Sequence, residues 1–304
     1  MHVPIELRRS PPEETLAWVA SRFGADARLG RVRRLRNAWA SAVHAIDVVD
    51  AGRVHRVVLR RWARTDLAID DGVVENEAAA LAMLASLDSV AVPRLVAADP
   101  AGAHTDVPAL LMTRLDGTDV LDPPDVDAWV EGLVAALRAV HSVALRERTL
   151  PGYRPWRVQF AAPPEWSNRP AAWHRALEIA HEPPPDVATV LCHRDFWPGN
   201  VLWRGGRVTG IVDWTHACRG PAAVDVAHCR MNLALLFGID VADEFAGRYG
   251  PVAELATFDL LDALSWALEP ADVWRWHDAG RTDLTYDVLT TRMDEFVAAA
   301  AGRL

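Results

Sequence analysis

Residues 192–200 read Cys-His-Arg-Asp-Phe-Trp-Pro-Gly-Asn, and Gly-Ile-Val-Asp-Trp follows at 210–214. His193, Arg194 and Asp195 stand in a row, Asn200 comes five positions after the Asp, and Pro198 and Gly199 bend the chain between them. Asp213 closes an apolar run. A carboxylate such as Asp195 can accept or orient the proton of an attacking hydroxyl. An amide oxygen and a second carboxylate, Asn200 and Asp213, are the hard oxygen donors that suit Mg²⁺. Phosphoryl transfer from a nucleoside triphosphate asks a protein for little more than this set. Taken singly, each Asp reads as a cap or turn residue. The three at these spacings, in a His-Arg-Asp-x-x-x-x-Asn pattern and joined by a hairpin turned at Gly205-Gly206, carry the functional reading.

The elements that must position these residues are legible around them. "AVHAIDVVD" and "VHRVVLRRW" flank Asp50, Ala51 and Gly52, which is a hairpin signal. "ENEAAALAMLASLDS" has the spacing of a helix, and "VPRLVAADP" and "VPALLMTRL" read as two further strands. The first third is thus a small sheet with one long helix. After Leu115-Asp116-Gly117, residues 125–143 form an amphipathic helix entered through an Asp-rich cap, and a Pro- and Trp-rich stretch follows. "ATVLCHRD" and "NVLWRGGRVTGIVDW" are short strands, and from Ala223 onward the pattern is helical. The expected fold class is α+β in two lobes: residues 1–112 as a nucleotide-binding lobe, 113–117 as a hinge, and 118–304 as a larger, mainly helical catalytic and acceptor-binding lobe.

Composition narrows the classes. The 304 residues carry a net charge of −9, which argues against a nucleic-acid partner. All 32 cations are arginine. Three cysteines, an odd number, suggest free thiols, and their spacing with His193 and His228 fits no zinc pattern. The N-terminal residues lack the apolar run of a signal peptide and no apolar stretch reaches membrane-spanning length, so a cytoplasmic protein without a membrane partner is expected. Oligomeric state is not legible.

The chain resembles the aminoglycoside phosphotransferase and choline kinase group, which shares the protein-kinase-like fold. "VVLRRW" resembles its third strand, "NEAAALAML" its αC-type helix, "ALLMTRLDG" its hinge, "LVAALRAVHSV" the helix before the catalytic segment, and "CHRDFWPGNVLW", "GIVDW" and "GPAAVDVAH" the catalytic and post-catalytic segments. The resemblance implies ATP or GTP with Mg²⁺ as cofactors, Asp195 as catalytic base, and Asn200 and Asp213 as metal ligands. It implies that Thr113 and Leu115 meet the adenine through their backbone, with Met112 behind it. His193 and Asp225 would brace the loop.

Two departures from the family pattern stand out. The phosphate-gripping Lys of the third strand is replaced by Arg60, which keeps the charge but presents a planar fork. Its expected ion-pair partner is Glu77, with Glu75 as the competing choice; the competing reading of Arg60 is a surface residue on an edge strand. The loop expected over the phosphates, "RNAWASAVHA", contains no Gly, so Asn37, Ala38 and Ser41 must let phosphate approach with small side chains.

Asp213 is followed almost at once by "THACRGPAAVD", which leaves no room for a peptide-presenting segment. The acceptor is therefore expected to be a small hydroxylated molecule, cationic and aminoglycoside-like or another amino sugar. Asp259, Asp262, Trp266 and Glu269 fall on one face of a continuous helix and form the expected acceptor site, the competing reading being a solvated face. A housekeeping kinase for a sugar, amino sugar or amino alcohol is the second reading. A catalytically weak nucleotide-binding sensor is the third.

Overall fold

The computed structural model describes residues 7, 9–35, 41–62, 72–145, 150–183 and 185–304. They fall into two compact units, one of Met1–Asp116 with Val212–His216 and one of Gly117–Ile211 with Ala217–Leu304. The short segment around Asp213, counted from the sequence with the larger lobe, clusters with the smaller unit.

The first unit is a five-stranded antiparallel sheet of β1 (Arg28–Arg34), β2 (Ser41–Asp50), β3 (Arg53–Trp62), β4 (Leu95–Asp99) and β5 (Ala109–Thr113), in the order β1-β2-β3-β5-β4. The β2–β3 hairpin turns through Ala51 and Gly52, both with positive φ. Alternation along β3 sends Val57, Leu59 and Arg61 to one face and Val58, Arg60 and Trp62 to the other. The first face packs under α1 (Glu13–Ala20), whose Trp18 and Val19 join Ile46, Val48, Val57, Leu59, Ala109 and Leu111 in one apolar cluster. This helix and β1 are additional to the single helix and four strands expected in the first third. The run from Glu13 to Ala20 is short and only weakly amphipathic, and the arginines of β1 mask its alternation. The second helix of the unit, α2 (Val73–Leu84), is the long helix foreseen.

The second unit contains α3 (Val126–His141), α4 (Pro170–Ala180), α5 (Ala222–Phe237), α6 (Ile239–Tyr249), α7 (Leu255–Ala263), α8 (Val273–Asp278) and α9 (Tyr286–Ala301). Two small ladders complete it. One pairs β6 (Thr189–Cys192) with β9 (Cys218–Pro221), and the other pairs β7 (Val201–Arg204) with β8 (Arg207–Ile211) through Gly205 and Gly206. Helix α3 starts at Asp125, whose side chain accepts from the N–H of Ala128. Helix α5 is apolar nearly all round and correspondingly buried, packed by α6, α7 and α9. The polar residues it does carry, Asp225, His228, Arg230 and Asn232, each find a partner inside the unit. The three cysteines are free and buried. No helix among the described residues is long and apolar enough to cross a membrane.

Candidate active site

In the first unit, register decides which residues meet. Ser41 lies opposite Trp62 on β2–β3, and Met112 lies opposite Val58 on β3–β5. Directly paired residues share a face, so Ser41, Met112 and Arg60 stand on the same side of the sheet. Arg60 is not on an edge: β3 lies between β2 and β5, and the residue is buried. Its Nε donates to Ser41 Oγ at 2.7 Å, its Nη1 to Glu77 Oε1 at 3.1 Å and to Asp213 Oδ1 at 2.7 Å, and its Nη2 to Asp213 Oδ2 at 3.2 Å. The guanidinium also lies over the Trp62 ring, 5.0 Å from its centroid. One planar fork thus serves three partners at once, from fixed directions. Glu75, the competing partner, is exposed two residues before Glu77.

The charges in this cluster depend on one another. Burial works against the Asp213 carboxylate, but Arg60, with Thr215 donating at 2.9 Å, holds it well below the usual carboxylate range. Burial pushes the Glu77 carboxyl up and Arg60 pulls it back. Burial disfavours the Arg60 charge as well, yet the two acids raise its pKa. Asp213 itself has a positive φ of 68°, a left-handed conformation uncommon outside Gly and Asn.

The residues expected to form a hinge begin at Thr113, the last residue of β5. The N–H of Thr113 donates to the carbonyl of Arg94 and its Oγ1 accepts from the Arg94 N–H, while Arg114 N–H reaches the Arg56 carbonyl. Leu115 follows, half-buried. Asn37 and Ala38 of the Gly-less loop lie outside the described residues; Ser41 is the first residue of β2.

In the second unit, the chain leaves β6 and runs through His193, Arg194 and Asp195 to a single 3₁₀ turn, Pro198–Asn200, before entering β7. Asp225, fully buried on α5, holds this loop from below. It accepts from the backbone N–H of His193 at 2.7 Å, from that of Arg194 at 2.5 Å, and from His141 Nε2 at 2.9 Å. Burial disfavours its charge, but His141, then His193, outweigh that and hold the carboxyl low. Arg194 has a left-handed φ of 68° and is anchored outward, its guanidinium 3.6 Å from the Trp156 ring centroid and its Nη2 donating to the Arg154 carbonyl.

The backbone so fixed leaves Asp195 half-buried. Asn200 Nδ2 donates to the Asp195 carbonyl at 2.8 Å and to Asp195 Oδ2 at 3.0 Å. Both partners only accept, so the amide nitrogen faces Asp195 and the amide oxygen faces away. Asp195 Oδ1 lies 3.1 Å from His228 Nε2, and His228 Nδ1 lies 3.1 Å from both oxygens of Asp262. His228 and His141 were not singled out as site residues from sequence. His228 sits three residues after Asp225 on an otherwise apolar helix, where a lone His most often is a satisfied core residue.

The expected acceptor face is not a helix face. Helix α7 ends at Ala263, because the Leu264 carbonyl is taken by the N–H of Gln159, and the Ser265 hydroxyl and N–H both turn back to the Asp262 carbonyl. Trp266 and Glu269 therefore lie beyond the helix. Asp259 is buried against Arg230 at 3.3 Å and Arg303 at 3.2 Å, and burial, only partly offset by those arginines, pushes its carboxyl up to about 7. Asp262 is committed to His228. Glu269 is exposed and caps the turn Pro270–Asp272, its N–H donating to Asp272 Oδ2. Trp266 packs 6.1 Å from Trp276, which in turn meets Trp197 edge-on at 6.0 Å. In the Trp-rich stretch, Trp173 is core, its Nε1 donating to Asp294.

A family model described as the phosphotransferase enzyme family matches residues 31–264. Among curated proteins, the homoserine kinase of Rhodopseudomonas palustris strain CGA009 is 31% identical over 133 residues, and that of Beijerinckia indica 30% over 131 residues; each match covers 40% of this chain and 40% of the relative. Among solved structures, a thermostable mutant of aminoglycoside phosphotransferase APH(4)-Ia aligns with a TM-score of 0.59 at 18% identity, covering 90% of this chain and 96% of that one. Macrolide 2′-phosphotransferase MphH from Brachybacterium faecium aligns with a TM-score of 0.55 at 18% identity, covering 96% and 99%. At these identities the structures establish the α+β, protein-kinase-like fold. With a family match extending from β1 through the His193–Asn200 loop to α7, the chain belongs to the phosphotransferase enzyme family.

Proposed function

We propose that the chain is a small-molecule kinase that moves the γ-phosphoryl group of ATP or GTP to a hydroxyl of its acceptor, with Asp195 as the base. The observation that carries this reading is the hold on Asp195. Asn200 takes one carboxylate oxygen, His228 the other, and Asp225 fixes the backbone N–H groups just before it. Such a carboxylate is oriented before any substrate arrives, and orientation is most of what phosphoryl transfer asks of protein groups.

Asn200 and Asp213 are proposed to hold Mg²⁺. Each donor by itself suits a hard cation: the Asn200 amide oxygen is turned away from Asp195, and the Asp213 carboxyl is kept ionised by Arg60. When bound, Mg²⁺ neutralises charge on the phosphate oxygens. Arg60 is proposed to take the role of the missing Lys, with Glu77 and Ser41 fixing its fork and Met112, Thr113 and Leu115 lining the base of the nucleotide.

For the acceptor, the fate of the expected carboxylates favours a small sugar or amino alcohol over a polycation. Asp259 is buried and paired with two arginines, Asp262 is committed to His228, and Glu269 caps a turn. That leaves Trp266 as the surviving feature of the expected site. The relatives named homoserine kinase support the same direction, since homoserine is a small molecule with one amine, one carboxylate and one primary hydroxyl. The test is acceptor-dependent release of nucleoside diphosphate with Mg²⁺ over a panel of amino alcohols including homoserine, amino sugars and aminoglycosides. Turnover confined to aminoglycosides would contradict the small-acceptor reading.

A further inference from the structure

Both nitrogens of the His228 ring face carboxylate oxygens. Nε2 lies 3.1 Å from Asp195 Oδ1, and Nδ1 lies 3.1 Å from Asp262 Oδ1 and 3.1 Å from Oδ2. Carboxylate oxygens accept, so a ring that satisfies both contacts donates from both nitrogens. The ring projects from α5, in the middle of the unit, while its partners come from different segments: Asp195 from the loop after β6 and Asp262 from the last turn of α7. Asn232, one turn along α5, donates through Nδ2 to the His228 carbonyl at 2.9 Å; the same Nδ2 lies 3.4 Å from His228 Nε2, which is closer to Asp195 Oδ1 at 3.1 Å, so Nε2 is assigned as donor to the carboxylate and the amide contact as a packing approach. The His228 side chain is 16% exposed, Asp262 10% and Asp195 33%, so the clamp is sheltered and its open end is the Asp195 carboxylate.

We propose that His228 is a positioning residue for the reaction: clamped by Asp262, it donates through Nε2 to Asp195 Oδ1 and holds that carboxylate in one orientation toward the acceptor hydroxyl. The inference rests on the assignment of Asp195 as the base. Asn200 alone leaves the carboxylate one fixed oxygen; His228 supplies the second point, so its plane is set. Burial disfavours an imidazolium here, but Asp262 first and then Asp195 outweigh it and keep His228 protonated well above the ordinary imidazole range. The charged groups facing the ring are these two acids, with the Asn232 amide beside them.

Two measurements on the full chain test this. Imidazole NMR of the wild type, with His228→Gln used to assign the signal, should show His228 protonated through neutral pH, and in Asp262→Asn its titration should move down. Steady-state kinetics should show kcat in His228→Ala lowered about 10- to 100-fold, less than the roughly 10²–10⁴-fold that the base itself supplies, with the KM for ATP unchanged. His228→Gln, which can still donate, should recover part of that loss. An NMR signal titrating near the ordinary imidazole value overturns the proposal whatever the reaction. So does wild-type kcat in His228→Ala in an enzyme that Asp195→Asn inactivates. Turnover that survives Asp195→Asn instead removes the base assignment itself, and the role of His228 with it.

Discussion

Arg60 binds Asp213 through both terminal nitrogens, Nη1 at 2.7 Å from Oδ1 and Nη2 at 3.2 Å from Oδ2, while the same Nη1 holds Glu77 at 3.1 Å. Removing this cation leaves Glu77, whose side chain is 1% exposed, as an uncompensated buried acid. Arg60→Ala should therefore cost about 3–5 kcal/mol of stability and raise the KM for ATP at least tenfold. Arg60→Lys keeps the charge but loses the fork, so both effects should be intermediate. Denaturant midpoints and nucleotide kinetics measured on the same preparations check this; an Arg60→Ala protein as stable as the wild type would refute it.

Asp225 sets the backbone that carries Asp195. Its carboxylate satisfies the N–H groups of His193 and Arg194 and the ring of His141 at once. In Asp225→Ala these donors lose the acceptor they share, and the left-handed Arg194 loses a restraint. A loss of about 3–5 kcal/mol is expected, together with a fall in kcat that exceeds any change in the KM for ATP. Thermal and chemical denaturation report the first, initial rates the second.

Gly117 has a φ of 113°, and a Cβ there would lie 2.3 Å from Thr209 Oγ1 and 2.9 Å from the Trp203 carbonyl. The next residue, Thr118, exchanges backbone hydrogen bonds with Trp203 at 2.7 and 3.1 Å, so the strand cannot move aside without breaking them. Gly117→Ala should cost about 1–3 kcal/mol. A stability within error of wild type would show that the segment relaxes freely.

His44 is buried on β2 and its pKa is pushed down to about 4, chiefly by burial and then by the Arg61 charge. The unfolded chain therefore binds a proton that the folded state refuses between about 6.5 and about 4. The stability this residue contributes is fully present above about pH 6.5 and is lost as pH falls through that window. His44→Leu should show a shallower loss of urea midpoint between pH 7 and pH 5. Parallel curves for the two proteins would contradict the assignment.

Much of this was legible in the sequence, for reasons that can be named. The His-Arg-Asp-x-x-x-x-Asn spacing and the Gly-Gly hairpin are local, so the loop, the 3₁₀ turn and the β7–β8 ladder follow from adjacent residues. Arg60 and Glu77 were legible because strand alternation and helix spacing each point one side chain to a shared face. His228 was not, because its partners lie 33 residues before it and 34 after it, and neither separation has a sequence signature. The continuous helix expected from Asp259 to Glu269 was misread for the converse reason. Helical spacing from Asp259 to Glu269 is a local pattern, but the Gln159 N–H, a distant donor, takes the carbonyl that would have continued the helix.

The central claim is that Asp195 serves as base for phosphoryl transfer to a small hydroxylated acceptor. It is tested most directly by acceptor-dependent ADP formation with Mg²⁺ in the wild type and in Asp195→Asn, a variant that keeps the side-chain shape. With an accepted small hydroxylated compound, the wild type should turn over, and Asp195→Asn should lose roughly 10²–10⁴-fold in kcat while remaining folded and keeping wild-type nucleotide affinity. Wild-type turnover in Asp195→Asn would contradict the claim.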